Sequence, residues 1–209
     1  MIIDTNNYKN IIFDLGGVIL NIDYSLTEKA FSNLGISDFK TLFSQAQQTQ
    51  LFDNYEKGFI SSDDFREEIK KQCINGTSDE DIDFAWNSIV LDLPKERLDF
   101  LMSIKKKYRT FLLSNTNEIH MLFIYNYLKE TFSISNLNEY FEKVYLSYEV
   151  QMRKPDTEIF ELVIDQNKLL KEETLFIDDS VQHVESAKLL GIHTLLLDVQ
   201  KQDILYLFE

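Results

Sequence analysis

The chain contains a single cysteine, Cys73, so no intrachain disulfide can form and stability must come from a packed core. A lone thiol fits a reducing compartment, and the expected location is cytoplasmic. Proline is almost as scarce, with Pro94 and Pro155 the two copies, which excludes a proline-rich linker. No stretch approaches the ~20 uncharged apolar residues of a membrane helix. The opening MIIDTNNYKN has no basic start followed by an apolar run, so no secretion signal is expected there. Positive charge is also short. Lysine and arginine total 21 against 35 acidic residues, a net charge of -14. Such a surface repels nucleic acid and anionic membranes, and neither is expected as the main partner.

What is there describes a globular chain. Its 209 residues, 44% of them hydrophobic, suffice for one buried core and a smaller accessory domain. Five short apolar runs punctuate it: Ile11–Phe13, Phe111–Leu113, Val144–Leu146, Leu175–Ile177 and Thr194–Leu197. Four of them lead directly into a polar residue: Asp14, Ser114, Ser147 and Asp178. Between the later runs, Ile159, Phe160, Val163 and Ile164, then Val181, Val184, Ala187 and Leu190, recur at helical spacing. Pro155 suits a helix start, with Asp156 and Glu158 at the positive end of the dipole. Gly191 is placed to close the next helix. Strands alternating with helices imply an α/β, Rossmann-like, doubly wound parallel sheet. Ligands of such sheets bind beyond the carboxyl ends of the strands, where the polar residues fall.

Residues 21–94 break the alternation. They carry helix signals without a convincing strand: a capping box expected at Thr77-x-x-Glu80, a weaker one at Ser61-x-x-Asp64, and Phe65, Ile69, Ile82, Trp86 and Ile89 at helical spacing. The expected organisation is a core formed by 1–20 and 95–209, with 21–94 inserted as a helical cap over the end of the first strand.

Four segments carry chemistry: Phe13-Asp14-Leu15-Gly16-Gly17-Val18, Leu113-Ser114-Asn115-Thr116-Asn117, Met152-Arg153-Lys154-Pro155 and Phe176-Ile177-Asp178-Asp179-Ser180. A carboxylate leaving a strand into a Gly-Gly turn is exposed to a ligand that the backbone can approach closely. Such a carboxylate can attack phosphorus and form an aspartyl-phosphate that water later hydrolyses. Two further carboxylates nearby would repel Asp14 unless a hard dication stood among them, and magnesium suits an all-oxygen set. Lys154 and the Ser114 hydroxyl would complete a cradle for a phosphoryl group, with Asn115 as a further donor. Three carboxylates against magnesium and Lys154 make a neutral pocket, which reconciles an acidic protein with an anionic substrate.

These segments, in this order, resemble the four motifs of the haloacid dehalogenase superfamily over nearly the whole chain, and the insertion resembles its type-1 helical cap. The wording of the motifs is similar to a bacterial branch that includes sugar-phosphate phosphatases of the α-glucose-1-phosphate type. The resemblance implies a magnesium-dependent phosphatase of a small phosphorylated metabolite. Asp14 would be nucleophile and metal ligand, Gly16 would offer its carbonyl to Mg2+, and Asp178 and Asp179 would hold the metal or its waters. Ser114, Asn115 and Lys154 would bind phosphoryl oxygens. A monomer or weak homodimer is expected. Most phosphatases of the family carry a second aspartate two residues after the nucleophile, as general acid. Here Gly16 stands in its place, so sugar phosphates should turn over slowly unless a cap residue supplies the proton. Two rivals differ in testable ways: a dehalogenase, which needs no metal pair such as Asp178-Asp179, and a phospho-ligand sensor that has lost turnover. His120 and His183 are expected to pack or face solvent, and Cys73 to be structural.

Overall fold

The computed structural model describes residues 7–43 and 49–208. All five apolar runs are strands: β1 (Asn10–Phe13), β2 (Arg109–Ser114), β3 (Lys143–Leu146), β4 (Thr174–Asp178) and β5 (His193–Leu196). They form one parallel sheet in the order β3-β2-β1-β4-β5. The period-2 rule assigns the two faces. Ile11 and Phe13 pack on one side with α6 (Lys95–Ile104) and α7 (Glu118–Phe132). Ile12 and Phe176 pack on the other with α9 (Thr157–Asn167) and α10 (Val181–Leu189). Both faces are covered, so the central strands are apolar throughout rather than alternating. β1 is central, and the chain fills first one side of it and then the other. The switch point therefore lies between β1 and β4, which is where a doubly wound sheet opens a ligand crevice.

Between β1 and α6 the described residues form five helices: α1 (Tyr24–Asn33), α2 (Phe39–Leu42), α3 (Gln50–Glu56), α4 (Ser62–Lys70) and α5 (Asp79–Asn87). They enclose an aromatic core in which Phe39, Phe43, Phe52 and Phe65 surround Trp86. The entry and exit of this block are zipped together. Asn21 N–H donates to Asp92 O and Leu91 N–H to Asn21 O, while Asp23 N–H donates to Ile89 O. The buried Arg97 of α6 clasps the entry strand through Ile19 O and the Asn21 side chain.

Local signals were mostly honoured. Ser61 and Asp64 form a reciprocal capping box on α4. The box expected at Thr77–Glu80 is shifted by one residue to Ser78–Asp81, because Thr77 Oγ1 instead donates to Ile74 O. Pro155 precedes the capping residue Asp156 of α9, across a cis Lys154–Pro155 peptide. Gly191, with φ of +85°, turns the chain from α10 toward β5. None of the described helices is long and apolar enough to cross a membrane.

Candidate active site

The polar residues that end the strands converge above the switch point. Asp14 follows β1 directly and Asp178 is the last residue of β4, on the neighbouring strand. Asp179 follows, and one carboxylate oxygen from each of the three lies within 4.8 Å of the others. Lys154 enters from the loop before α9. Its ammonium is completely buried and donates to Asp14 Oδ1 and Asp178 Oδ2 at 2.7 Å each, and to Leu113 O at 2.9 Å. All three N–H bonds are used, as a buried cation requires.

Asn115 holds this lysine in place. Its Nδ2 donates to Lys154 O and its Oδ1 accepts from Lys154 N–H, a two-point clamp on the backbone. One amide hydrogen is left for a ligand. Ser114, the last residue of β2, is buried beside them and lines the same cavity. α7 is capped by Asn117, whose side chain accepts from His120 N–H.

The electrostatics are those of an anionic pocket in which Lys154 is bonded to two of the three carboxylates. Burial raises the Asp14 carboxyl above its usual range, and Asp178 and Asp179 raise it further while Lys154 pulls it down. Burial also works against Asp178, but Lys154 and His183 hold its carboxyl below the usual value. His183 Nδ1–H donates to both oxygens of Asp178 at 3.0 Å, and Ser180 N–H donates to Oδ1 at 2.7 Å. Sequence alone did not assign that contact to His183. The signal was its place one turn into the helix that follows the acidic pair. His120 packs as expected. Its ring stacks on Trp86, with Nε2 bonded to Trp86 O and Nδ1 to the Asn117 amide.

Three carboxylates and one lysine leave a net charge of -2 in a site made of oxygen donors. That charge and donor set fit one magnesium ion, whose preference is for carboxylates and water. Gly16, whose carbonyl is the fourth expected ligand, lines the same cavity. Its φ lies outside the left-handed region. A Cβ at this position would meet only the end of the Ile22 side chain, at 3.2 Å.

The helical block closes over this centre. Tyr24 of α1, Phe43 and Glu56 of α3 line the cavity opposite Asp14. Arg153 bridges the two parts, with Nη2 2.9 Å from Glu56 and Nη1 3.2 Å from Asp53. Lys57 pairs with Asp53 and with Asp156 across the same seam. Gly58, with φ of +67°, approaches the backbone of Tyr148 so closely that no Cβ could fit. Sequence reasoning missed this seam, because charged residues at helix ends look like solvated surface until the partner element is placed.

Residues 8–191 match the family model of the haloacid dehalogenase-like hydrolases. The chain belongs to that family. It is 36% identical over 188 residues, 89% of this chain and 90% of the relative, to a D-ribitol-5-phosphate phosphatase of Bacteroides thetaiotaomicron. It superposes with a TM-score of 0.87 on a crystal structure of a family enzyme from the same organism, an aspartate-to-alanine mutant in complex with magnesium and inorganic phosphate. Identity there is 36%, over 93% of this chain and 96% of the other. A predicted family hydrolase from Porphyromonas gingivalis gives a TM-score of 0.85 at 30% identity, covering 94% of both chains.

Proposed function

We propose that this hydrolase is a magnesium-dependent phosphatase of small phosphorylated metabolites, sugar or polyol phosphates among them. The observation that carries the reading is the junction of Asp14, Lys154, Asp178 and Asp179 in one buried cluster of net charge -2. The phosphatase relative and the magnesium- and phosphate-bound structure support the same chemistry.

Asp14, Asp178 and Asp179, with the Gly16 carbonyl, would hold Mg2+. When bound, the ion neutralises the carboxylates and the phosphoryl oxygens. Asp14 Oδ attacks phosphorus to give an aspartyl-phosphate, and a water hydrolyses it in a second step. Lys154 keeps Asp14 aimed and lends its charge to the phosphoryl group. Ser114 and the remaining Asn115 hydrogen orient that group. Helices α1–α5 act as the cap of residues 21–94, excluding water and contacting the leaving group. The cavity measures about 90 Å³. At roughly 10–15 Å³ per water it holds the equivalent of about six to nine waters, which suits a small ester rather than a phosphoprotein.

Gly16 favours the second reading, a phospho-ligand sensor without turnover. One experiment separates the two: phosphate release from a panel of phosphorylated metabolites, ribitol 5-phosphate included, with and without magnesium. Release that requires magnesium is expected. Binding of phosphate esters without release from any of them would overturn the phosphatase reading in favour of the sensor.

A further inference from the structure

Gly16 removes the proton donor that most phosphatases of this architecture use, yet the cavity wall that a side chain at position 16 would face is not inert. A Cβ on Gly16 would point at Ile22. Two residues on, Tyr24 is the first residue of α1 and lines the same cavity as Asp14, Gly16 and Ser114. Its ring is fixed against Phe43, centroids 5.9 Å apart. Its hydroxyl makes no hydrogen bond to any described residue. Three other titratable side chains of the wall have partners of their own. His120 uses both ring nitrogens on Trp86 and Asn117, His183 gives its Nδ1–H to Asp178, and Glu56 is paired with Arg153.

We propose that Tyr24 is the leaving-group acid of this enzyme, replacing from the cap the carboxyl that Gly16 lacks. This inference rests on the phosphatase reading and extends it to a specific atom. As the Asp14 Oδ–P bond forms, the bond from phosphorus to the substrate alcohol oxygen breaks and the electron pair stays on that oxygen. The oxygen takes the Tyr24 Oη proton and departs as the alcohol. In the second step a water adds its oxygen to phosphorus and returns one proton to the Tyr24 phenolate, and Asp14 and hydrogen phosphate are released. Burial and the nearby charges of Asp179, Glu56, Asp14 and Asp178 push the phenol above its ordinary range. Tyr24 thus keeps its proton until a comparably basic oxygen demands it. A sugar or polyol alkoxide is such an oxygen. A nitrophenolate, far less basic, leaves without help.

The test compares ribitol 5-phosphate with p-nitrophenyl phosphate in the magnesium-loaded enzyme and its Tyr24→Phe variant, which keeps the ring packing against Phe43. The ratio of alkyl to aryl kcat/KM should fall about 100-fold or more in Tyr24→Phe, within the range of general acid catalysis. Adding Gly16→Asp to that variant should recover part of the ratio, since a Cβ there meets only the Ile22 side chain, which must give by a few tenths of an ångström. An unchanged ratio, or equal loss of both activities, overturns the role of Tyr24. Wild-type enzyme that hydrolyses only the aryl ester also overturns it while leaving the phosphatase reading intact. Hydrolysis of neither these two nor any other ester of the panel removes both.

Discussion

Lys154 and Asp14, 140 positions apart in the chain, meet at 2.7 Å with the ammonium fully buried. The lysine is bonded to two of the three clustered carboxylates, Asp14 and Asp178. Lys154→Met keeps the bulk but leaves Asp14 and Asp178 uncompensated. Removing one partner of a buried ion pair typically costs 3–5 kcal/mol, so a loss of about that size is expected in urea unfolding without magnesium. Added magnesium should recover part of it, although phosphate release should remain absent. Stability equal to wild type in metal-free buffer would show that the pair is not held as described.

Magnesium itself should act as a stabilising ligand. At a concentration 100 times its Kd the gain is about 2.7 kcal/mol, which for a chain of this length raises the Tm by roughly 5–10 °C. Asp178→Ala should abolish the rise, measured by thermal unfolding with and without the metal. A rise in Asp178→Ala as large as in wild type would remove Asp178 from the ligand set.

Asp14→Asn preserves the shape of the cluster but removes the proposed nucleophile. Turnover of alkyl and aryl phosphates alike should drop by at least ~1000-fold. Residual aryl phosphatase activity near wild type would mean that water attacks phosphorus directly.

The seam between cap and core predicts its own phenotype at Gly58. Alanine there must adopt a left-handed backbone and meet the Tyr148 backbone. Gly58→Ala should lower stability by more than ~1 kcal/mol and raise KM more than it lowers kcat, since closure rather than chemistry is disturbed. A normal KM in steady-state kinetics would show that the seam does not govern substrate binding.

His120 predicts an acid-side loss of stability. Burial lowers its pKa from an ordinary 6.5 to about 4, partly offset by the bond to Trp86 O. Its contribution is fully present above pH 6.5. As the pH falls toward 4, the unfolded chain takes up a proton that the folded chain refuses. At about 1.4 kcal/mol per pH unit, roughly 3 kcal/mol is lost across that window. His120→Gln should flatten the pH dependence of urea unfolding between pH 6.5 and 4, and an unflattened profile would contradict the buried neutral ring.

The strands and their polar ends were legible because each sits between two covered faces, which forces a continuous apolar run such as Ile11-Ile12-Phe13 that stops where the carboxylate must face ligand. Asp14, Ser114, Lys154 and Asp178 could thus be named before their distances were known. The strand order and the charged seam were not legible. Nothing in Arg153 or Glu56 announces that they face each other 97 positions apart, and Tyr24 looks like one more aromatic of the cap. Their roles depend on where the helical block lands, and tertiary packing decides that. Asn115 lies between these cases. Its position beside Ser114 was informative, while its clamp on the Lys154 backbone required the loop before α9 to be in place.

The central position of β1 also dictates the order in which the molecule can be built. Its two neighbours, β2 and β4, begin at Arg109 and Thr174. A nascent chain therefore carries its first strand with both edges unpaired for about a hundred residues, and with one edge still open until the fourth strand emerges. At ~5–20 residues per second that wait lasts about 8 to 33 seconds. Throughout it, Ile11-Ile12-Phe13 keeps at least one edge unpaired, and Asp14 lacks the Asp178 carboxylate beside it. The reaction centre therefore cannot assemble before β4 has emerged, and until then the chain presents an open strand edge of the kind that invites pairing with another chain.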